Sequence, residues 1–206
     1  MPYIIGLTGN IGAGKSVVAG MLRDLGADDV DADRLGHAVM APGTPEHDRL
    51  VARFGADILQ ADGTIDRRKL GAIVFADPAA LRDLEAVVHP GVRARIRERF
   101  ATTAQPVIVV EAIKLLEAGL YLEVDAVWVV TASREVRVQR LTETRGLTRA
   151  EAELRADAQA PEAEKVSRAD VVIENSGDLV ETRAQVEAAW RAIAAGTAPR
   201  RRGEPR

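Results

Sequence analysis

The chain predicts an α/β fold in three layers, a central parallel sheet held between layers of helices. Three observations carry this. An apolar strand starting at Tyr3 runs straight into Gly9-Asn10-Ile11-Gly12-Ala13-Gly14-Lys15-Ser16, a strand–loop–helix unit of the pattern G-x-x-x-x-G-K-S. Later apolar runs are β-branched and uninterrupted, as strands covered on both faces are. These runs alternate with stretches of helical period, which demands right-handed crossovers and therefore a parallel sheet.

The first strand ends at Thr8, and a helix is expected over 16–25. A short second strand, Asp28-Asp29-Val30-Asp31, follows. From about 35 to 105 the period is helical with almost no strand, and helices are expected over 34–40, 46–54, 67–75, 78–89 and 90–102. Pro90 suits the first turn of a new helix, where its missing N–H is no loss. This stretch is too long for a plain crossover and reads as a helical insertion, a natural seat for an acceptor. Val107-Ile108-Val109-Val110 and Ala126-Val127-Trp128-Val129-Val130 are the next strands. Helices over 134–145 and 149–159, hinged at Gly146, precede a last strand Asp170-Val171-Val172-Ile173 and a closing helix over 179–195.

The glycine-rich loop has the parts of a phosphate-binding loop, and it makes the fold one of the P-loop NTPase type. Gly9, Gly12 and Gly14 let the backbone curl so that successive N–H groups turn inward on phosphate oxygens. Lys15 reaches β- and γ-phosphates, the Ser16 hydroxyl can ligate Mg²⁺, and the helix start aims its positive dipole end at the anion. Position 17 is Val, where many small kinases carry a second hydroxyl; one hydroxyl suffices for the metal. A nucleoside triphosphate with Mg²⁺ is thus the expected ligand, bound by residues Gly9 to Val17.

In an open parallel sheet, ligands bind beyond the carboxyl ends of the strands. That points to Thr8 through Ser16, Asp31 through Asp33, Glu111, Thr131 through Arg134, and Asn175 through Gly177. Asp31 and Asp33 could hold Mg²⁺ or accept the proton of an attacking hydroxyl. They could also cap the following helix. Glu111 could orient metal-bound water or cap the next turn. The dense set Arg134, Arg137, Arg140, Arg145, Arg149 and Arg155 around Gly146 looks like a lid that closes over a triphosphate and excludes water. Arg140, nearest the strand end, is the candidate phosphate contact, while most of the others suit solvated i,i+4 pairs. His89 is a candidate ligand or a packed helix residue; His37 and His47 are expected at the surface.

Composition narrows the function. The 206 residues hold 47% hydrophobic and 29% charged residues, an ordinary soluble profile, and no cysteine, which removes disulfide and thiolate chemistry. A net charge of −3 and a pI near 5.7 argue against a nucleic-acid binder. No apolar run approaches the ~20 residues that span a bilayer. A cytoplasmic protein, monomeric or weakly homo-oligomeric, is expected. The Arg-rich end Pro199 to Arg206 has no apolar content, and the tail over 196–206 is expected to be disordered.

Taken in order, Gly6 through Ser16, Asp31-Ala32-Asp33, Phe54-Gly55, Asp62-Gly63, His89-Pro90, Leu115-Leu116-Glu117, Arg140-Leu141, the 159–165 stretch and Ala169 through Gly177 resemble the bacterial dephospho-CoA kinases. The likeness runs from about residue 3 to about 195. It implies a nucleotide-binding core (about 1–34, 105–135 and 168–195), a CoA-binding helical insertion (about 35–104) and a lid (about 136–167). It implies phosphoryl transfer from ATP to the ribose 3′-hydroxyl of dephospho-CoA, with Asp33 as base and Lys15 and Arg140 on the phosphates. Thr8, Asp33, His89, Glu111 and Leu115 would then face the acceptor, Asn175 the nucleotide, and Ser16 and Asp33 the metal. Asn10 stands where the family usually has Gly, and Ile113-Lys114 replaces its usual Pro-Leu. Competing readings are another small-molecule kinase, for a nucleoside monophosphate, shikimate or gluconate, and a switch NTPase. The chain lacks the Asn-Lys-x-Asp guanine motif of one large switch class.

Overall fold

The computed structural model describes residues 2–201. Along the chain run β1 (Tyr3–Thr8), α1 (Lys15–Asp24), β2 (Asp28–Asp31), α2 (Ala32–Val39), α3 (Pro45–Phe54), α4 (Arg67–Ala76) and α5 (Pro78–Thr102). There follow β3 (Val107–Glu111), β4 (Ala126–Thr131), α6 (Arg134–Arg145), α7 (Arg149–Asp157), α8 (Glu162–Val166), β5 (Val171–Glu174) and α9 (Leu179–Ala194). Two compact units emerge, one built from the residues up to Val30 and those from Thr103 onward, the other spanning Asp31–Thr102.

The first unit holds a five-stranded sheet in the order β2-β3-β1-β4-β5. β1 lies at its centre, parallel to β3 on one side and β4 on the other, with Leu7 opposite both Glu111 and Trp128. Every residue of β1 and β4 is buried, which is why these runs carry no alternation. Ile5, Leu7, Val109, Trp128 and Val130 pack with Val18 and Leu22 of α1 and Val186 of α9. Leu115 seats on the backbone of β1, where a Cβ on Gly6 would come within 2.8 Å of its Cδ2.

In the same unit α6 and α7 close a small core of Val138, Leu141, Ala152 and Ala156, into which Ile11 packs. Gly146, at φ 62°, ends α6 in the left-handed region, and a reciprocal Thr148–Glu151 capping box starts α7. The short α8 was not expected from the sequence. The chain end also departs from expectation. The Tyr3 hydroxyl donates to the Pro199 carbonyl, Arg201 N–H donates to the Asp125 carbonyl at 2.8 Å, and Arg201 Nε donates to Asp170 Oδ2 at 2.8 Å. The stretch up to Arg201 is therefore tied to the sheet rather than frayed; the remainder of the expected tail, 202–206, lies outside the described residues.

The second unit is helical around Leu50, Ile58, Ile65, Leu70, Val74 and Ala80. Two expectations are corrected there. α5 runs unbroken from Pro78 to Thr102 with Pro90 inside it, instead of two helices meeting at Pro90. An interior proline costs about 3 kcal/mol, and packing of α5 against α2, α3 and α4 outweighs it. His47 is buried, not superficial: its Nε2 lies 2.9 Å from the Gly63 carbonyl and its Nδ1 3.3 Å from Asp48 Oδ1.

Candidate active site

The loop between β1 and α1 follows from its residues. Gly12 and Gly14 sit at φ 78° and 95°, a region that side chains other than Gly rarely occupy. A Cβ at Gly14 would also lie 2.1 Å from Asn175 Nδ2. Asn10, standing where the resemblance expects Gly, needs no such backbone, since no residue other than Gly takes a positive φ among the described residues. Lys15 and Ser16 open α1, so the start of the helix and the positive end of its dipole face the loop's concavity.

A hollow of about 430 Å³ lies over this loop, lined by Asn10 to Gly12, Gly14 to Val17, Ile113, Asn175 and Leu179. Arg140, Leu141, Thr144 and Arg145, a single face of α6, complete it. Of these, Arg140 is the expected phosphate contact, Arg145 belongs to the expected lid set and Leu141 to the family-like Arg140-Leu141 pair; Thr144 is legible from the i, i+4 spacing that places it beside Arg140. The Arg140 guanidinium spans the loop, donating from Nη1 to the carbonyls of Gly12 (3.4 Å) and Ala13 (3.3 Å) and from Nη2 to the carbonyl of Asn175 (2.7 Å). Asn175, fully buried, donates from Nδ2 to the Ala13 carbonyl at 2.7 Å and accepts from the Thr182 hydroxyl at 2.9 Å. Lys15, Arg140 and Arg145 make the hollow cationic.

Other arginines of the expected lid are surface ion pairs. Arg134 binds both oxygens of Asp157, which holds that carboxyl below the usual range, and Arg149 pairs with Glu135 and Glu153. Arg137 is different: it is buried, and its Nε and Nη1 have no hydrogen-bond partner. Burial pushes the nearby Glu162 carboxyl up, opposed by the Arg137 charge.

The residues expected at the acceptor separate into distinct roles. Thr8 and Leu115 are wholly buried, so neither presents a side chain to a ligand. Leu115 is core packing, and the Thr8 hydroxyl donates to the Ile113 carbonyl at 3.2 Å. That carbonyl also takes Lys165 Nζ at 3.1 Å, from a lysine only 4% exposed. The Ile113-Lys114 turn is thus fixed at its backbone. Glu111 ends β3 with an oxygen 3.9 Å from Arg23 Nη1. Asp31 caps α2, its Oδ1 accepting from Arg34 N–H at 2.9 Å, whereas Asp33 stands exposed in the first turn of that helix. His89 is half-buried in α5.

No group of three or more His, Cys, Asp or Glu capable of holding a metal occurs among the described residues. A nucleotide-borne Mg²⁺ needs no such cage, because phosphate oxygens and water fill most of its shell. The exposed Ser16 hydroxyl at the rim of the hollow fits that sparse requirement.

A family model described as dephospho-CoA kinase matches residues 3–181. The chain belongs to the dephospho-CoA kinase family. It is 47% identical over 205 residues to the dephospho-CoA kinase of Symbiobacterium thermophilum, covering 98% of this chain and 84% of that one. It is 48% identical over 192 residues to that of Geobacter metallireducens, covering 91% and 95%. The solved structure of TT1252 from Thermus thermophilus superposes with a TM-score of 0.78 at 39% identity, covering 95% of this chain and 97% of that one. A shikimate kinase from Bacteroides thetaiotaomicron, at 15% identity and a TM-score of 0.53 over 93% and 98%, shares the fold alone.

Proposed function

We propose that the protein transfers the γ-phosphoryl group of ATP to the ribose 3′-hydroxyl of dephospho-CoA, yielding coenzyme A and ADP. The observation that carries the reading is the cationic hollow over an intact phosphate loop, bridged by Arg140, in a chain of this family. The triphosphate lies in the hollow with Lys15 on its β/γ oxygens. Mg²⁺, held by Ser16 and with Asp33 as a further candidate, would neutralise charge on the phosphates. The acceptor oxygen bonds to γ-phosphorus as the bond to the β,γ-bridging oxygen breaks, and Asp33 takes the hydroxyl proton. The transition state is loose, so Asp33 mainly orients the hydroxyl, and Lys15 and Arg140 stabilise charge on the moving group. Leu141 and Thr144 on the same helix face limit water that would compete with the acceptor. His89 and Glu111 are assigned to the acceptor side. The reading extends to a cytoplasmic enzyme, monomeric or weakly homo-oligomeric, with no nucleic-acid partner. No helix among the described residues is long and apolar enough to cross a membrane.

The test is a coupled assay for ADP with dephospho-CoA, shikimate, gluconate and a nucleoside monophosphate offered in turn. Turnover with dephospho-CoA alone is expected, with little ADP formed before it is added. Preference for another alcohol would overturn the substrate, and acceptor-independent hydrolysis that answers to a protein would favour a switch NTPase.

A further inference from the structure

The phosphate loop is tied down at two places by different parts of the chain. Its second half, Gly12 and Ala13, is held by Arg140 and Asn175 as described. Its first half is held elsewhere. Ile11 N–H donates to Gln159 Oε1 at 2.6 Å, and Asn10 Nδ2 donates to the Ala160 carbonyl at 3.2 Å. Two successive loop residues are thus clipped to two successive residues of the connection between α7 and α8.

Ile11 and its neighbour Gly12 are also tied to the α6–α7 pair by packing. The Ile11 side chain enters the Val138, Leu141, Ala152 and Ala156 cluster. Beside it Gly12 lies against the backbone of α6, where a Cβ would come 2.8 Å from the Arg137 carbonyl oxygen. The loop therefore reaches α6 and α7 through apolar contact, and the α7–α8 connection through directional hydrogen bonds.

We propose that Gln159 and Asn10 are positioning residues: with Ala160 they latch the first half of the phosphate loop in its nucleotide-receiving shape, and so set affinity for ATP. The argument is one of accounting. An N–H in a closely packed loop needs an acceptor, and an unsatisfied one favours whatever loop shape restores water to it. Gln159 supplies that acceptor from the connection that directly follows α7, so the loop holds its form without nucleotide. Asn10 adds a tie that a glycine there could not make. The tie is made on a backbone without a positive φ, and the buried Asn10 Oδ1, which has no hydrogen-bond partner, sets a cost against it.

The inference rests on ATP as the ligand of this loop, and direct binding separates the two. Isothermal titration of ATP into the wild type comes first; no binding there removes the nucleotide reading and the latch with it. Given binding, Gln159→Leu, which keeps the bulk and loses the acceptor, is expected to weaken ATP about tenfold. Gln159→Glu, which can still accept from Ile11 N–H, is expected to recover most of that. Asn10→Gly is expected to weaken ATP about threefold, and the Asn10→Gly/Gln159→Leu double variant to lose less than the product of the two, because both ties hold one piece of loop. In steady state the change is expected in KM for ATP, with kcat and KM for dephospho-CoA within about twofold. Unchanged ATP affinity in Gln159→Leu overturns the latch, as does equal damage in Gln159→Glu, or a loss confined to kcat. If Gln159→Leu fails to fold, Asn10→Gly decides alone, and wild-type ATP affinity there overturns the proposal.

Discussion

Asn175 Nδ2 donates to the Ala13 carbonyl across 2.7 Å, joining the end of β5 to the phosphate loop 162 residues earlier in the chain. The bond is fully buried, and its carboxamide is spoken for at both ends, with Thr182 donating to the oxygen. Replacing the amide by a carboxylate, Asn175→Asp, sets an acceptor against the Ala13 carbonyl and leaves a buried charge facing it. A loss of about 2 kcal/mol or more is expected, read as a lowered urea midpoint with unchanged slope.

Lys15→Ala is expected to leave the fold intact and to lower turnover on the order of 10²-fold or more, since a cation on the transferring phosphates is lost. Wild-type turnover at saturating ATP would remove Lys15 from the site.

Arg140 has two jobs, bridging the loop carbonyls and facing the hollow. Arg140→Ala is therefore expected to lower kcat far more than it raises KM for dephospho-CoA. Arg140→Lys is expected to rescue little, because one ammonium cannot reach Ala13 and Asn175 together. A change confined to the acceptor KM would move Arg140 to acceptor binding.

The two aspartates after β2 are expected to respond differently. Asp31 caps α2, and Asn caps as well as Asp, so Asp31→Asn should keep both fold and rate, while Asp31→Ala costs about 1 kcal/mol of stability. Asp33→Asn is expected to lower kcat on the order of 10²-fold or more with ATP affinity nearly retained. ADP release with dephospho-CoA measures the rates; a larger kcat loss in Asp31→Asn would exchange the roles.

Burial, with Asp125 adding to it, pushes the Tyr3 hydroxyl up to about 12 from its usual 10. A phenol whose pKa is raised on folding contributes stability that is present below pH 10 and is lost as pH rises toward 12. Ultraviolet titration of phenolate should show a late phase centred near pH 12 that Tyr3→Phe abolishes. A Tyr3 ionisation at the ordinary value would mean that the tie to Pro199 is open in solution.

The core of the fold was legible where structure is local. The G-x-x-x-x-G-K-S run, the β-branched strands, the Gly146 stop and the strand-end position of Asn175 all depend on residues close in sequence. What escaped depends on partners far away. His47 is buried because Gly63 offers a carbonyl to it, and Lys165 because Ile113 does. Arg201 is ordered by Asp125 and Asp170, which no composition of the tail announces. Pro90 carried a true local signal for a helix start that the packing of α5 overrode. Leu115 and Thr8 lie in stretches that match the family, yet their side chains face the interior, a distinction that depends on which way a strand or turn presents each residue.

The central place of β1 also governs how the protein is made. β1 leaves the ribosome well before its neighbours, Val107–Glu111 and Ala126–Thr131. At roughly 5 to 20 residues per second, this apolar strand waits on the order of 5 to 20 s for its first partner to be synthesised. Meanwhile Asp31–Thr102, with a core of its own, can close behind it. The nascent chain thus carries one of its two wholly buried strands unpaired while about 100 further residues are made, which makes Tyr3–Thr8 the natural foothold for a ribosome-bound chaperone and an early place for a stalled chain to aggregate.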